Sequence, residues 1–309
     1  MTTKLFIDGA AGTTGIQIRE RLEGRSEFDL IVLDDVARKD DAARAGAINA
    51  ADVVILCLPD DAARQSVAMI ANDTTRVIDA STAHRVAQGW VYGMPEIYGQ
   101  ETVANARFVT NPGCYSTGFI ALVAPLVAAG LIPADALLTS NAVSGYSGGG
   151  KAMIADYEGA QGAQSAWRTY ALTLAHKHVP EMQARCGLAH RPLFVPAVVP
   201  VYSGMIVEVP LHRATLSSGA NAGQLREALA AHYAGSPIIS VARDYSPGTL
   251  GVEMLQDKDV MQLFVFADAQ GEQIRLVAVL DNLGKGASGA AVQNLNIMAG
   301  LPETTGLRL

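Results

Sequence analysis

A chain of 309 residues, half of them hydrophobic and 17% charged, is long enough for two medium domains and a large core. Its net charge of −7 is the wrong sign for a nucleic-acid or membrane-surface protein taken as a whole, so neither partner is expected. The only cysteines, Cys57, Cys114 and Cys186, form no CxxC pair, which excludes a disulfide framework or zinc site and points to a cytoplasmic protein with no metal. The opening residues have no basic, then apolar, leader pattern, so no signal peptide is expected. The longest apolar run, 119–132, is too short to span a bilayer.

Residues 4–8, Lys-Leu-Phe-Ile-Asp, read as a short buried strand, and the next residues open a helix running to about residue 23. Between them lies Gly9-Ala-Ala-Gly12-Thr13-Thr14-Gly15, a G-x-x-G-x-x-G variant of the dinucleotide fingerprint. Glycines there permit the sharp turn and the close approach of a pyrophosphate, and the helix start supplies N–H groups. Gly9, Gly12, Thr13, Thr14 and Gly15 are therefore candidate cofactor contacts. A second strand, 28–33, ends in Asp34-Asp35, where an acid commonly holds a ribose 2′-hydroxyl. Arg38 and Lys39 follow at once, and paired cations there would clasp a 2′-phosphate, so the two signals conflict.

A helix near 40–49 precedes an apolar strand at 52–58 in which Cys57 reads as inert core. Pro59-Asp60-Asp61 predict the cap of a helix over 61–71. The next strand, 76–79, runs into Ser81, Thr82, His84 and Arg85. Alternating strands and helices predict a parallel, doubly wound sheet, with ligands at the carboxyl ends of its strands. Ser81 and Arg85 are thus candidates beside a cofactor and substrate, Arg85 either as partner of a phosphate or carboxylate or as a surface cation. One more strand, 107–110, delivers the chain to Asn111-Pro-Gly-Cys114. The apolar run after it reads as a buried helix, which places Cys114 at a helix N-terminus, where a thiolate is favoured. Cys114 is then a nucleophile or a small buried thiol, and its position at a strand end favours the nucleophile.

A strand over 136–144 leads to Ser144-Gly145-Tyr-Ser-Gly-Gly-Gly-Lys151, whose backbone N–H groups suit an anion, with Lys151 either adding a charge or standing as a surface lysine after the loop. Residues 151–165 read as a loop or short helix, and Trp167 and Tyr170 as packing residues. His176-Lys-His178-Val-Pro-Glu181 puts two histidines just before a helix start. A nucleophilic cysteine needs a proton acceptor, and Glu181 is placed to orient one of these imidazoles; no third ligand supports a metal. Runs at 193–201 and 205–211 read as adjacent strands, 222–234 as an amphipathic helix, and 238–241, 262–267 and 274–280 as strands. That is a mostly antiparallel sheet with helices on one face, an α+β domain. Asp281-Asn282 then precede a helix at 287–300, which puts Asn282 or the glycines at 284 and 286 at a domain junction. A dinucleotide loop, a helix-initial cysteine and a histidine pair together fit one chemistry: a thiolate forms a thioester from an activated acyl group, and hydride reduces it to an aldehyde.

Seven stretches resemble the short-form N-acetyl-gamma-glutamyl-phosphate reductases, of the aspartate-semialdehyde and glyceraldehyde-phosphate dehydrogenase group. They are Gly9-x-x-Gly12-x-x-Gly15, Asp79-Ala-Ser-Thr-Ala-His-Arg85, Tyr92-Gly-Met-Pro-Glu96, Asn111-Pro-Gly-Cys-Tyr-Ser-Thr-Gly118, Val143-Ser-Gly-Tyr-Ser-Gly-Gly-Gly-Lys151, His176-Lys-His-Val-Pro-Glu181 and Asp281-Asn282-Leu. The resemblance implies a Rossmann-type α/β NADP-binding domain over 1–113 and 284–309, and an α+β catalytic and oligomerisation domain over 114–283. It implies NADP(H), a small acyl-phosphate substrate, Cys114 as acyl-thioester nucleophile and a homodimer or homotetramer. Ser81 and Asn282 then fall to the cofactor, and Arg85, Asn111, Ser144, Gly145 and Lys151 to the substrate and its phosphate. The region 199–205 lacks the histidine that aspartate-semialdehyde enzymes carry there, which leaves the acid/base role to His178 or His176. The alternatives are a reductase of aspartyl or aminoadipyl phosphate, or a non-catalytic NADP-binding sensor.

Overall fold

The computed structural model describes residues 2–160, 162–163, 165–217, 219–245 and 248–309. Its contacts divide the chain into two units, one of residues 1–113 with 287–307 and one of 114–286 with 308–309.

The first unit alternates strand and helix: β1 (Thr3–Asp8), α1 (Thr13–Leu22), β2 (Phe28–Ile31), α2 (Asp41–Ala50), β3 (Val53–Leu56), α3 (Asp60–Ala68), β4 (Arg76–Asp79), β5 (Val91–Tyr92), α4 (Pro95–Tyr98), α5 (Gln100–Asn105) and β6 (Phe108–Thr110). The strands form one parallel sheet in the order β2-β1-β3-β4-β6-β5. β3 is Val-Val-Ile-Leu with every residue buried, the pattern of a strand covered on both faces. Because β2 pairs on one side of β1 and β3 on the other, the order reverses beside β1, and such a switch point leaves a crevice at the strand ends.

Two local expectations are corrected. β2 stops at Ile31, and Val32 is 70% exposed, because Asp34 starts a tight turn by accepting from the N–H groups of Val36 and Ala37. α3 runs over Asp60–Ala68, and Asp60 does not cap it: its carboxylate accepts from the N–H and hydroxyl of Thr82.

The second unit begins with α6 (Cys114–Ala128), followed by β7 (Thr139–Gly145), α7 (Gly150–Glu158), β8 (Arg168–Thr169), α8 (Val179–Arg185), β9 (Leu193–Val199), β10 (Met205–His212), α9 (Ala222–His232), β11 (Ile239–Val241), β12 (Met261–Ala267) and β13 (Gln273–Leu280). Its sheet has the order β11-β12-β13-β10-β7-β9-β8; only β11–β12 and β7–β9 pair in parallel. β9 and β10 are therefore not neighbours, as their adjacent runs predicted, since β7 lies between them. Alternation identifies strands but says nothing of which strand each one joins. α6 and α9 lie on the β10–β13 part of this sheet.

α6 is buried almost all round, as its uniformly apolar sequence requires. Pro125 inside it cannot donate to the carbonyl of Ala121. The hydroxyl of Tyr233, just past α9, donates to that carbonyl at 2.8 Å, so the helix keeps its acceptor satisfied. After β13 a π-helical turn, Gly284–Ser288, returns the chain to the first unit, where α10 (Gly289–Met298) is buried along its whole length.

Candidate active site

In the first unit a cavity of about 350 Å³ opens beside the strand ends, lined among others by Gly9, Ala10, Arg19, Asp35, Arg38 and Arg44. Gly9 has φ +87°, and a Cβ there would collide with the carbonyl of Cys57, so only glycine fits the turn. Gly12 donates its N–H back to the Gly9 carbonyl at 3.0 Å and directly precedes α1. Thr13, Thr14 and Gly15 form the first turn of that helix.

The acids at 34 and 35 have separate tasks. The N–H groups of Ala37 and Val36 hold the Asp34 carboxyl below its usual range. Asp35 accepts from Arg38 Nε at 2.8 Å, which holds that guanidinium at the cavity wall. Lys39 is exposed and does not line the cavity, so the expected pair of cations reduces to Arg38. Arg19 and Arg44 were missed from the sequence. Arg19 follows the last glycine of the loop by one helical turn, and that spacing was the available signal. Arg44 is buried on Asp8 at 2.9 Å and on Ser66 Oγ at 2.7 Å, and it braces the end of β1.

At the end of β4, the Asp79 carboxylate accepts from the Ser81 N–H and hydroxyl, both at 2.8 Å, and lies 2.6 Å from His84 Nδ1. His84 stacks on Trp90 at 4.1 Å. Arg85 is not a surface cation: it is buried and donates to the carbonyls of Asn111 at 3.1 Å and Ala80 at 3.2 Å. Asn111 is equally built in, its amide donating to the Ala287 carbonyl and accepting from Asn294.

In the second unit Cys114 is the first residue of α6 and is half-buried. Tyr115, next to it, packs against His176 and His178 with ring centroids 5.9 Å apart in both cases. Burial, then the neighbouring Tyr170, hold the Tyr115 hydroxyl protonated well above the ordinary phenol range, and burial does the same for Tyr170. His178 precedes α8, is buried, and has Nε2 4.0 Å from Glu181 Oε1. His176 is half-buried, and its Nδ1 accepts from the His178 N–H at 3.1 Å. That bond places the proton of neutral His176 on Nε2. Trp167, expected to pack, is 57% exposed. Gln161 and Gln164 of the expected 151–165 segment lie outside the described residues. Among the described residues no group of three histidines, cysteines or acids is arranged to hold a metal.

Ser144 is buried and donates to the Gly145 carbonyl at 3.0 Å, whereas Lys151 stands exposed in the first turn of α7. Asn282, expected beside the cofactor, lies in the second unit. Its side chain is buried, accepts from Gly204 N–H at 2.9 Å and donates to Ser147 Oγ at 2.9 Å, so the amide is engaged within the second unit.

The three thiols are unlike. Burial first, then Asp79 and Asp8, push Cys57 up to about 12; its sulfur is enclosed although the residue as a whole is half-buried. Burial also pushes Cys186 up. Thiolate is the reactive form. Iodoacetamide at about pH 8 is therefore expected to label Cys114 and to spare Cys57 and Cys186, as peptide mass spectrometry would read; a faster label on Cys57 would overturn this ranking.

Residues 4–106 match the family described as semialdehyde dehydrogenase, NAD binding domain, and residues 114–282 the one described as semialdehyde dehydrogenase, dimerisation domain. The N-acetyl-gamma-glutamyl-phosphate reductase of Trichormus variabilis is 50% identical over 98% of this chain and 99% of its own. That of a Chelativorans species is 51% identical over 96% and 98%. Among solved structures, aspartate semialdehyde dehydrogenase II from Vibrio cholerae superposes with a TM-score of 0.74 at 19% identity, covering 97% of this chain and 99% of that one. An aspartate semialdehyde dehydrogenase with NADP from Candida albicans gives 0.69 at 16%, over 96% and 98%; both show the shared fold. The chain belongs to the N-acetyl-gamma-glutamyl-phosphate reductase family.

Proposed function

We propose that the protein reduces N-acetyl-L-glutamyl 5-phosphate to N-acetyl-L-glutamate 5-semialdehyde and phosphate with NADPH, in arginine biosynthesis. The observation that carries this reading is Cys114 heading a buried helix of 15 residues, in a chain about half identical to reductases of that name along its whole length.

Residues of the first unit fit a dinucleotide: the Gly9 turn admits no Cβ, and the cavity beside it carries Arg19 and Arg38. Gly9, Gly12, Thr13, Thr14 and Gly15 would hold the pyrophosphate, and Arg38 the 2′-phosphate. The nicotinamide supplies hydride when bound. In the second unit Cys114 attacks the acyl carbon as thiolate, the C–S bond forms and the C–O bond to phosphate breaks. His178, oriented by Glu181, protonates the oxygen of the reduced hemithioacetal. It takes the same proton back as the C–S bond breaks and the aldehyde leaves, so the imidazole ends as it began. Ser144, Gly145 and Lys151 remain our assignment for the substrate side. Ser81, tied to Asp79, remains our assignment for the cofactor side.

A homodimer or homotetramer through the second unit's sheet is part of this reading, supported by the dimerisation description of residues 114–282. So is a cytoplasmic location; no helix among the described residues is long and apolar enough to cross a membrane.

Incubation with N-acetylglutamate semialdehyde, phosphate and NADP⁺ is expected to generate absorbance at the NADPH band. A clear preference for aspartyl or aminoadipyl phosphate in the forward direction would replace the substrate, and no turnover with any of them would leave an NADP-binding sensor. For the cofactor, Arg38→Ala is expected to raise the NADPH KM about 10-fold or more and leave the NADH KM within about twofold, since one charge-assisted contact to phosphate is worth about 1.5–3 kcal/mol. Lys39→Ala should change either KM less than about threefold, because Lys39 stands off the cavity. Equal effects of Arg38→Ala on both cofactors would show that Arg38 does not read the 2′-phosphate.

A further inference from the structure

Asp281 is buried, and its carboxylate accepts four hydrogen bonds. Oδ1 takes the N–H groups of Leu283 at 2.7 Å and Gly284 at 3.0 Å. Oδ2 takes the Ser203 hydroxyl and the Asp257 N–H, both at 2.8 Å. An ionised carboxylate is a pure acceptor, so four converging donors match it and suit no neutral side chain as well. With Asn282 bonded to Gly204 and Ser147, residues 281–282 are bolted to three other segments of the second unit.

From this anchor the chain enters its one π-helical turn among the described residues, a form that recurs at functional sites. Gly286 donates its N–H back to the Asp281 carbonyl at 2.9 Å. Its outer side lies against the cysteine: a Cβ at 286 would stand 2.9 Å from Cys114 Cβ and 3.4 Å from Cys114 Cα. At the start of the turn, a Cβ at Gly284 would collide with the carbonyl of Lys258. The turn is thus wedged between the 258 carbonyl and Cys114, and close-packed protein passes on such a displacement instead of absorbing it.

We propose that the 281–286 turn, anchored by the Asp281 carboxylate, is a positioning element that sets where Cys114 sits and so where its sulfur meets the acyl carbon. Asp281 and Gly286 touch no reacting atom and act through the cysteine. The proposal rests on Cys114 being the nucleophile. A misplacement near 1 Å costs on the order of 10²-fold in rate.

The test is Gly286→Ala in the full-length enzyme, with kcat, both KM values, thermal melting and the rate of Cys114 alkylation by iodoacetamide against pH. Expected are a kcat lower by about 10- to 100-fold, an NADPH KM within about twofold, and an alkylation profile displaced from that of the unaltered protein. Asp281→Asn serves as the second variant, because its amide group turns two of the four acceptor sites into donors. It should move kcat and the alkylation profile in the same direction. A purely structural turn would lower the melting temperature and leave kcat per folded enzyme and the alkylation profile unchanged in both variants, which overturns the proposal. If Cys114→Ser kept full turnover, the nucleophile assignment itself would fall; with Cys114→Ser inactive, normal rates in Gly286→Ala bring down only the positioning role.

Discussion

Cys114→Ser is expected to lower kcat by about 10⁴-fold or more while the Kd for NADPH stays within about twofold. The loss follows from chemistry: a serine hydroxyl is ionised far less than a thiol and leaves a tetrahedral adduct far less readily, so both formation and release of the acyl carrier suffer. A factor of 10⁴ corresponds to about 5.5 kcal/mol of barrier. Binding should be spared because the cavity we assign to the cofactor is lined by residues from Phe6 to Ala62, all within the first unit. Stopped-flow absorbance would follow turnover and the quenching of protein fluorescence would follow NADPH. Survival of turnover in the serine variant would exclude a thioester. A large loss of NADPH affinity would mean that residue 114 is part of the cofactor site.

Much of the fold was legible because it is written locally. The glycine loop, the apolar β3 and the alternation of strand and helix give the first unit, and Gly9 shows why: a position that admits no side chain must be glycine in any such sequence. Pairing was not legible. β7 slips between β9 and β10, and nothing in their alternating residues records that choice. Side-chain types were legible; the bonds those side chains make within the scaffold were not. Arg85 was marked as a ligand contact from its strand-end position, and Asn111 and Asn282 from the family resemblance. The same residues also serve as internal braces, and here each is buried and bonded to scaffold. Asp281, one residue before Asn282, carries the larger load, and only its four donors, two of them from segments distant in sequence, reveal that.

The histidine pair separates on geometry, and a second large effect follows. His178 is buried with its Nε2 4.0 Å from Glu181 Oε1, which puts a carboxylate within ion-pair reach of the imidazole. His176 has its Nδ1 bonded to the His178 N–H, which makes it a brace for the segment entering α8. His178→Asn is therefore expected to lower kcat by about 10²–10⁴-fold, the usual contribution of a general acid/base, and to remove the limb of the pH–rate profile that belongs to it. Glu181→Gln should lower kcat in the same direction with a smaller effect, because the imidazole remains and loses only its orienting charge. His176→Asn keeps an acceptor for the N–H of His178, since an amide oxygen stands in for Nδ1; it should cost less than about 10-fold, against the 10²–10⁴-fold of acid/base loss. The reverse order, with the pH limb lost in His176→Asn and kept in His178→Asn, would assign proton transfer to His176 and leave His178 and Glu181 as a buried structural pair.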